Sequence, residues 1–209
     1  MPGRSPVARN PGTGVRDLSD SRTKTAAALS SFALEDAVRP PTSFAPLPPD
    51  SDQLAVLTTV DEVRVATEAV AARGQRLISI FSSDLEPPIY DQPAFLNTIK
   101  RFVLGQNFAK VRVLVREPGR MISNNNRFVS MARRLTSYLE IRVLAAELRQ
   151  QTASYCIADD RAIVYRLRAD RWDGISSLNN PPVARQYLQE FDVAWQASTD
   201  DQHQRMGAM

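Results

Sequence analysis

The stretch "ASYCIADDRAIVYR", residues 153–166, decides how the rest of the chain is read. Ser154, Cys156 and Ala158 alternate with Tyr155 and Ile157, which is the period of two of a strand, and Ala162–Arg166 supplies a second strand. Between them, Asp159-Asp160-Arg161 forms a tight turn, because aspartate side chains bond nearby backbone N–H groups. The stretch is therefore a hairpin. Cys156, the only cysteine, shares a strand face with Ser154 and Ala158 and has no histidine beside it. It reads as a small buried hydrophobe rather than a reactive thiol.

Outward from the hairpin, strands alternate with helices. "LAVLTT" (54–59), "RLISIFSS" (76–83), "KVRVLVR" (110–116) and "LEIRVL" (139–144) predict strands. Residues 60–74 predict a helix with Val63, Ala66 and Val70 on one face and Gly74 as its stop. Phe95, Leu96, Ile99, Phe102 and Val103 stripe a second helix that ends near Gly105, and Phe128, Ala132, Leu135 and Leu139 a third. "DLEPPIYDQP" reads as a loop and "EPGR" as a turn. After the hairpin an irregular loop runs to Asn180, and Pro181-Pro182 opens a last helix with Ala184, Tyr187, Leu188, Phe191 and Trp195 inward. This order predicts an α/β fold: a mixed, mainly parallel sheet flanked by helices, in one domain over residues 53–197. Residues 1–52, rich in Pro, Ser and Arg, are expected to be a disordered arm, with a short amphipathic helix pattern at 23–38. Residues 198–209 are expected to be a polar disordered tail.

Composition narrows the function classes. The chain has 209 residues, of which 43% are hydrophobic, enough for one domain with a real core. No run reaches the roughly 18 apolar residues that span a bilayer, and the N-terminus has no apolar segment behind its charges to act as a secretory signal. A cytoplasmic, bacterial-type protein is the expectation. The one histidine, His203, lies in the polar tail. Histidine is the usual general base near neutral pH and the commonest metal ligand, so a His-based catalytic arrangement and a Cys/His metal site both lack their residues. No metal and no cofactor are expected.

Charge is distributed unevenly. Between Lys100 and Arg171, fifteen basic residues face six acidic ones, a net +9, while residues 53–99 and 172–209 are each −3. Thirteen of the fifteen are arginine, whose planar fork suits phosphate and carboxylate. Few aromatics interleave with them, which argues against a stacking platform for single-stranded nucleic acid. Arg112 and Arg116 share a face of one strand, and Arg120 and Arg127 follow just beyond its end. In open α/β sheets the ligand crevice lies off the C-terminal strand ends, so these four arginines are the candidate anion-binding residues. The Asn-rich helix start at 123–126 could hold an anion or simply be capped by Ser123 or Asn124.

The order of elements, with the hairpin, a loop and a helix ending "YLQEFDVAW", resembles one half of the phospholipase D-like fold. In that superfamily the hairpin carries H-x-K-x-x-x-x-D. Aligned on Asp160, the histidine slot is Ala153 and the lysine slot Tyr155, so the resemblance implies a half that has lost its nucleophile and its phosphate-binding lysine. Ser177 and Asn179 in "GISSLNN" have the spacing of the family's Ser-x-Asn loop, several residues late. The stretches "SIFSSDLEPPIYDQPAF", "VRVLVREPGR", "RRLTSYLEIRVL" and "CIADDRAIVYR" resemble a bacterial domain family of unknown function, some members of which are fused behind a GNAT-type acetyltransferase.

Three functional expectations follow. The first is a non-catalytic module that binds an anionic partner (nucleic acid, a phospho-ligand or an acidic surface) through its arginines. The second is a protein-interaction or regulatory module that docks on an enzyme such as an acetyltransferase. The third is an enzyme built on Ser82, Ser83, Asp84 and Glu86 at a strand end. A homodimer is compatible with all three.

Overall fold

A computed structural model describes residues 53–123 and 126–200. The expected arm at 1–52, His203 and the tail from 201 onward lie outside the described residues. The elements in chain order begin with β1 (Ala55–Leu57), α1 (Val60–Ala72), β2 (Leu77–Ser82), α2 (Pro87–Tyr90) and α3 (Pro93–Gly105). There follow β3 (Lys110–Val115), α4 (Pro118–Ser123), α5 (Arg127–Arg134), β4 (Leu139–Val143), β5 (Ser154–Ala158) and β6 (Ala162–Arg166). The chain closes with β7 (Gly174–Ser177), α6 (Pro181–Ala197) and β8 (Thr199–Asp200).

Local chemistry sets the helix starts. Thr59 and Glu62 form a capping box on α1: the Glu62 N–H donates to Thr59 Oγ1 at 3.2 Å, and the Thr59 N–H to Glu62 Oε2 at 3.0 Å. Prolines open α2, α3 and α6, where a missing N–H costs nothing. Asn126 caps α5 by accepting from the Phe128 N–H at 2.8 Å. Its amide also donates to the Leu85 carbonyl at 2.8 Å, which ties the start of α5 to the loop after β2.

The strands form one eight-stranded sheet in the order β1-β7-β6-β5-β2-β3-β4-β8. β2, β3 and β4 run parallel, and the other five ladders are antiparallel. The fold is α/β with a mixed sheet, as expected, but its parallel part is confined to three strands. Helices join β2 to β3 and β3 to β4, whereas β5, β6 and β7 follow one another through a turn and a loop as antiparallel neighbours.

The two faces bury different side chains. Ile78, Ile80, Val111, Val113, Cys156 and Val164 meet α1, α3 and α5 in an aliphatic core. The opposite face is aromatic and lies under α6: Phe81 stacks on Tyr155 at 5.0 Å, Tyr165 meets Tyr187 at 4.5 Å, and Phe191 stacks on Trp195 at 5.6 Å.

Several local expectations are corrected. The "irregular loop" before Asn180 contains β7, which pairs with both β6 and β1. A Cβ on Gly174 would lie 2.6 Å from the Tyr165 carbonyl oxygen, so this position needs glycine. "EPGR" leads into the short helix α4, and "DLEPPIYDQP" contains α2. Leu139 starts β4 rather than extending α5. At the other end the domain extends past residue 197, because Thr199 pairs with Val143 and Asp200 with Arg142 in the β4–β8 ladder.

Candidate functional site

The C-terminal ends of β2 and β3 bring together most of the polar residues singled out in the sequence. Ser82 ends β2, and its hydroxyl accepts from the Leu85 N–H at 3.0 Å and donates to Glu86 Oε2 at 2.5 Å. This clasp holds Leu85 in the left-handed region at φ 56°, a costly backbone for a branched side chain that is fully buried. Glu86 is thereby aimed inward at Arg166, with which it forms a buried ion pair. Arg166, only 1% exposed, also donates to Ser154 Oγ at 3.0 Å and to the carbonyls of Ala169 at 3.1 Å and Arg171 at 3.0 Å, and it lies 5.1 Å from the Trp172 ring. A guanidinium out of water must be paired and hydrogen-bonded, and this one is both.

Burial also sets the titration of its neighbours. It pushes the Tyr90 phenol well above its ordinary range, with the charge of Glu86 adding to the effect. Burial pushes the Cys156 thiol up to about 12, so it is not a thiolate near neutral pH.

A second polar group lies beside this pair, nearer to solvent. Arg116 donates to Ser83 Oγ at 3.0 Å and to the Gln151 carbonyl at 2.6 Å, and it lies 3.4 Å from Glu117. Arg120 lies 3.3 Å from Asp84 and 3.7 Å from Glu117. The Asp84 side chain is only 9% exposed. Burial, then the charge of Glu86, raises its pKa, while Arg120 opposes the shift. Two cations and two carboxylates therefore meet here with no charge left over.

The other two candidate arginines lie elsewhere. Arg112 projects onto the α6 face, 2.7 Å from Asp192 and 5.1 and 5.5 Å from the Phe191 and Trp195 rings. Arg127 opens α5 and holds Asp91 at 2.7 Å through Nε. Of the four, then, only Arg116 and Arg120 share a place. Arg112 lies within β3, whereas Arg116 follows its last residue and its N–H still donates to the Ser82 carbonyl at 3.1 Å.

The motif slots are equally dispersed. Ala153 precedes β5, while Tyr155 is part of the aromatic layer under α6. Asp160 is half-buried and held by Arg185 at 2.8 Å, whose hydrogen bond lowers its pKa. Its neighbour Asp159, at φ 53°, turns its carboxylate back onto the start of β2. It accepts from the N–H groups of Gln75 and Arg76 at 2.9 Å each and of Leu77 at 3.0 Å. The acidic turn is thus anchored over more than 80 residues of sequence. Ser177 is buried at the end of β7, and its hydroxyl accepts from the Asn179 N–H at 3.4 Å. Among the described residues, no group of three or more His, Cys, Asp or Glu is placed to hold a metal ion. No described helix is long and apolar enough to cross a membrane.

Sequence reasoning missed a groove of about 580 Å³ between α3 and α5. Leu96, Met131 and Leu135 form its apolar floor, and Lys100, Arg127 and Arg134 stand around it with no acidic residue in the lining. Lys100 and Arg134 are exposed, and neither is in an ion pair with a described residue. The only sequence signal was the pair of basic doublets, Lys100-Arg101 and Arg133-Arg134, near the ends of two separate helices.

Among solved structures the chain is similar to TrmBL2, an archaeal chromatin protein whose structure shows a novel mode of DNA binding. The TM-score is 0.52 at 12% identity, over 87% of this chain and 62% of that one, so the chain spans less than two thirds of TrmBL2's length. It is also similar to Nuc, a phospholipase D family member from Salmonella typhimurium, with TM-score 0.50 and 16% identity over 71% of this chain and 98% of that one. At such identities the likeness is one of fold, and that fold is phospholipase D-like. No curated protein sequence matches. A family model does match, over residues 59–206, and the chain belongs to that family, a domain of unknown function designated DUF7931.

Proposed function

We propose that the domain is a binding module for an anionic partner, without phosphodiesterase activity, and that it meets this partner on the α3–α5 groove. The observation that carries the reading is the groove's uncompensated charge: Lys100 and Arg134 line it without an ion-pair partner among the described residues, Arg127 beside them is held by Asp91, and no carboxylate is in the lining. The strand-end arginines, by contrast, are each held against an acid. Uncompensated surface cations attract polyanions and speed their encounter. A DNA-binding chromatin protein has a similar fold, so this scaffold is compatible with a polyanionic partner. The absence of catalysis rests on Ala153 and Tyr155 in the motif slots and on a domain whose residues 53–200 contain no histidine to act as nucleophile.

Two measurements test the reading. Inorganic polyphosphate, titrated into the full-length protein, is expected to bind with an affinity that falls steeply with salt, because contacted phosphates release counterions. The Lys100→Glu/Arg134→Glu variant is expected to lose that binding while Arg120→Glu retains it. Salt-insensitive binding, or loss in Arg120→Glu alone, overturns the assignment to the groove. A generic phosphodiester is expected not to turn over, and turnover that survives replacement of His203 refutes the non-catalytic part.

A further inference from the structure

We infer that the groove's partner is an acidic amphipathic helix of another protein, seated with its apolar side on the floor between α3 and α5. The inference rests on the anion-binding reading above and narrows it by the character of the floor. A site for phosphate alone needs donors and charge, and gains nothing from an aliphatic floor. Here Leu96, Met131 and Leu135 lie beneath the cations, and Leu104, 74% exposed, extends the apolar strip along α3. No aromatic residue lines the groove, so it offers no base-stacking surface for a single strand. Phe108, 83% exposed, lies three residues beyond the end of α3 and adds apolar surface to the same end of that helix. Exposed apolar residues grouped in this way are characteristic of surfaces that meet another protein.

The geometry matches a helix. A channel between two packed helices accepts a third through residues spaced i, i+3 or i+4, and i+7. α3 has 13 residues, so it is about 20 Å long at a rise of about 1.5 Å per residue. A partner helix of three to four turns would span it. Glutamates flanking the apolar stripe of such a helix would then reach Lys100 on one wall and Arg134 on the other. Charge complementarity sets the sign of the partner, and the floor sets its amphipathic pattern.

The test uses the full-length protein and four fluorescent probes: a designed Leu/Glu helix of about 14 residues with its leucines on one face, the same composition scrambled, a 15-base-pair DNA duplex, and inorganic polyphosphate. The patterned helix is expected to bind at least tenfold more tightly than the scrambled one. Leu104→Ser, a surface change that spares the fold, is expected to weaken the patterned helix at least fivefold and leave polyphosphate unchanged. Lys100→Glu/Arg134→Glu is expected to abolish binding of both. Equal binding of the patterned and scrambled peptides, or indifference to Leu104→Ser, overturns the helix inference. Binding of duplex DNA or polyphosphate without the patterned peptide overturns it too, yet leaves the anion-binding reading standing. No binding by any probe overturns both.

Discussion

The strand-end crevice and the α3–α5 groove both gather cations, and they treat them in opposite ways. In the crevice Arg166 is enclosed and neutralised by Glu86, and Arg116 and Arg120 share Asp84 and Glu117. In the groove Lys100 and Arg134 project into solvent over aliphatic side chains without a carboxylate in the lining. A charge inside a protein has to be compensated by the protein itself, whereas a charge at the surface is compensated by water, salt or a partner. Arginine density alone therefore does not locate an anion site. Variants in the two regions are expected to separate stability from binding.

The largest effect is expected in the crevice. Arg166→Met leaves the Glu86 carboxylate buried without its cation, with only the Ser82 hydroxyl bonded to it, which should cost about 3–5 kcal/mol in chemical denaturation. Adding Glu86→Gln should restore part of the loss. A single variant as stable as wild type would mean that the pair does not hold the 167–173 loop in place.

Asp159→Ala removes the acceptor of three N–H groups and places alanine at a positive φ, with an expected loss of about 2 kcal/mol. Asp159→Asn, which keeps one acceptor oxygen and tolerates the backbone, should lose less. Equal losses in the two would point to the carboxylate's hydrogen bonds rather than the backbone conformation, which asparagine tolerates.

A smaller effect, visible through pH, is expected at Asp84. Burial holds its carboxyl above the ordinary value of 3.8, so the folded state keeps a proton that the unfolded chain has already released. Stability from this residue is then present below the ordinary value, falls as pH rises through the raised one, and stays lost above it. Asp84→Asn has no such proton. Its stability relative to wild type should rise with pH across that window and level off beyond it. Denaturation at a series of pH values checks the sign, and a difference independent of pH would remove Asp84 from the account.

The smallest stability change is expected in the groove, where Lys100→Glu/Arg134→Glu should stay within about 0.5 kcal/mol of wild type because the side chains are exposed. A large loss would show that these cations serve the fold, and the contrast between the regions would fail.

Much of the fold was legible from spacing. A short apolar run located β2, period two located β3 and the β5–β6 hairpin, and the apolar stripes located α1, α3 and α6, because those patterns reflect burial. β7 was not legible. "GISS" is four residues with a glycine and little apolar pattern, and the ladders from β6 and β1 make it a strand. Of the candidate site, the carboxylates and serines of "SSDLEPP" were seen as a group, yet their clasp on Arg166 depended on a partner 80 residues away.

The sequence by itself determined the α/β class, the hairpin with its acidic turn, the lack of a histidine between residues 53 and 200, and an excess of arginine in the middle of the chain. Those features depend on residue type and short spacing, which the chain carries whether folded or not. The tertiary structure alone decided which arginines are spent on internal carboxylates and which remain exposed to solvent. That outcome depends on distances of a few ångströms between residues far apart in sequence, and Coulomb interactions and burial act only once the sheet and helices have set those distances.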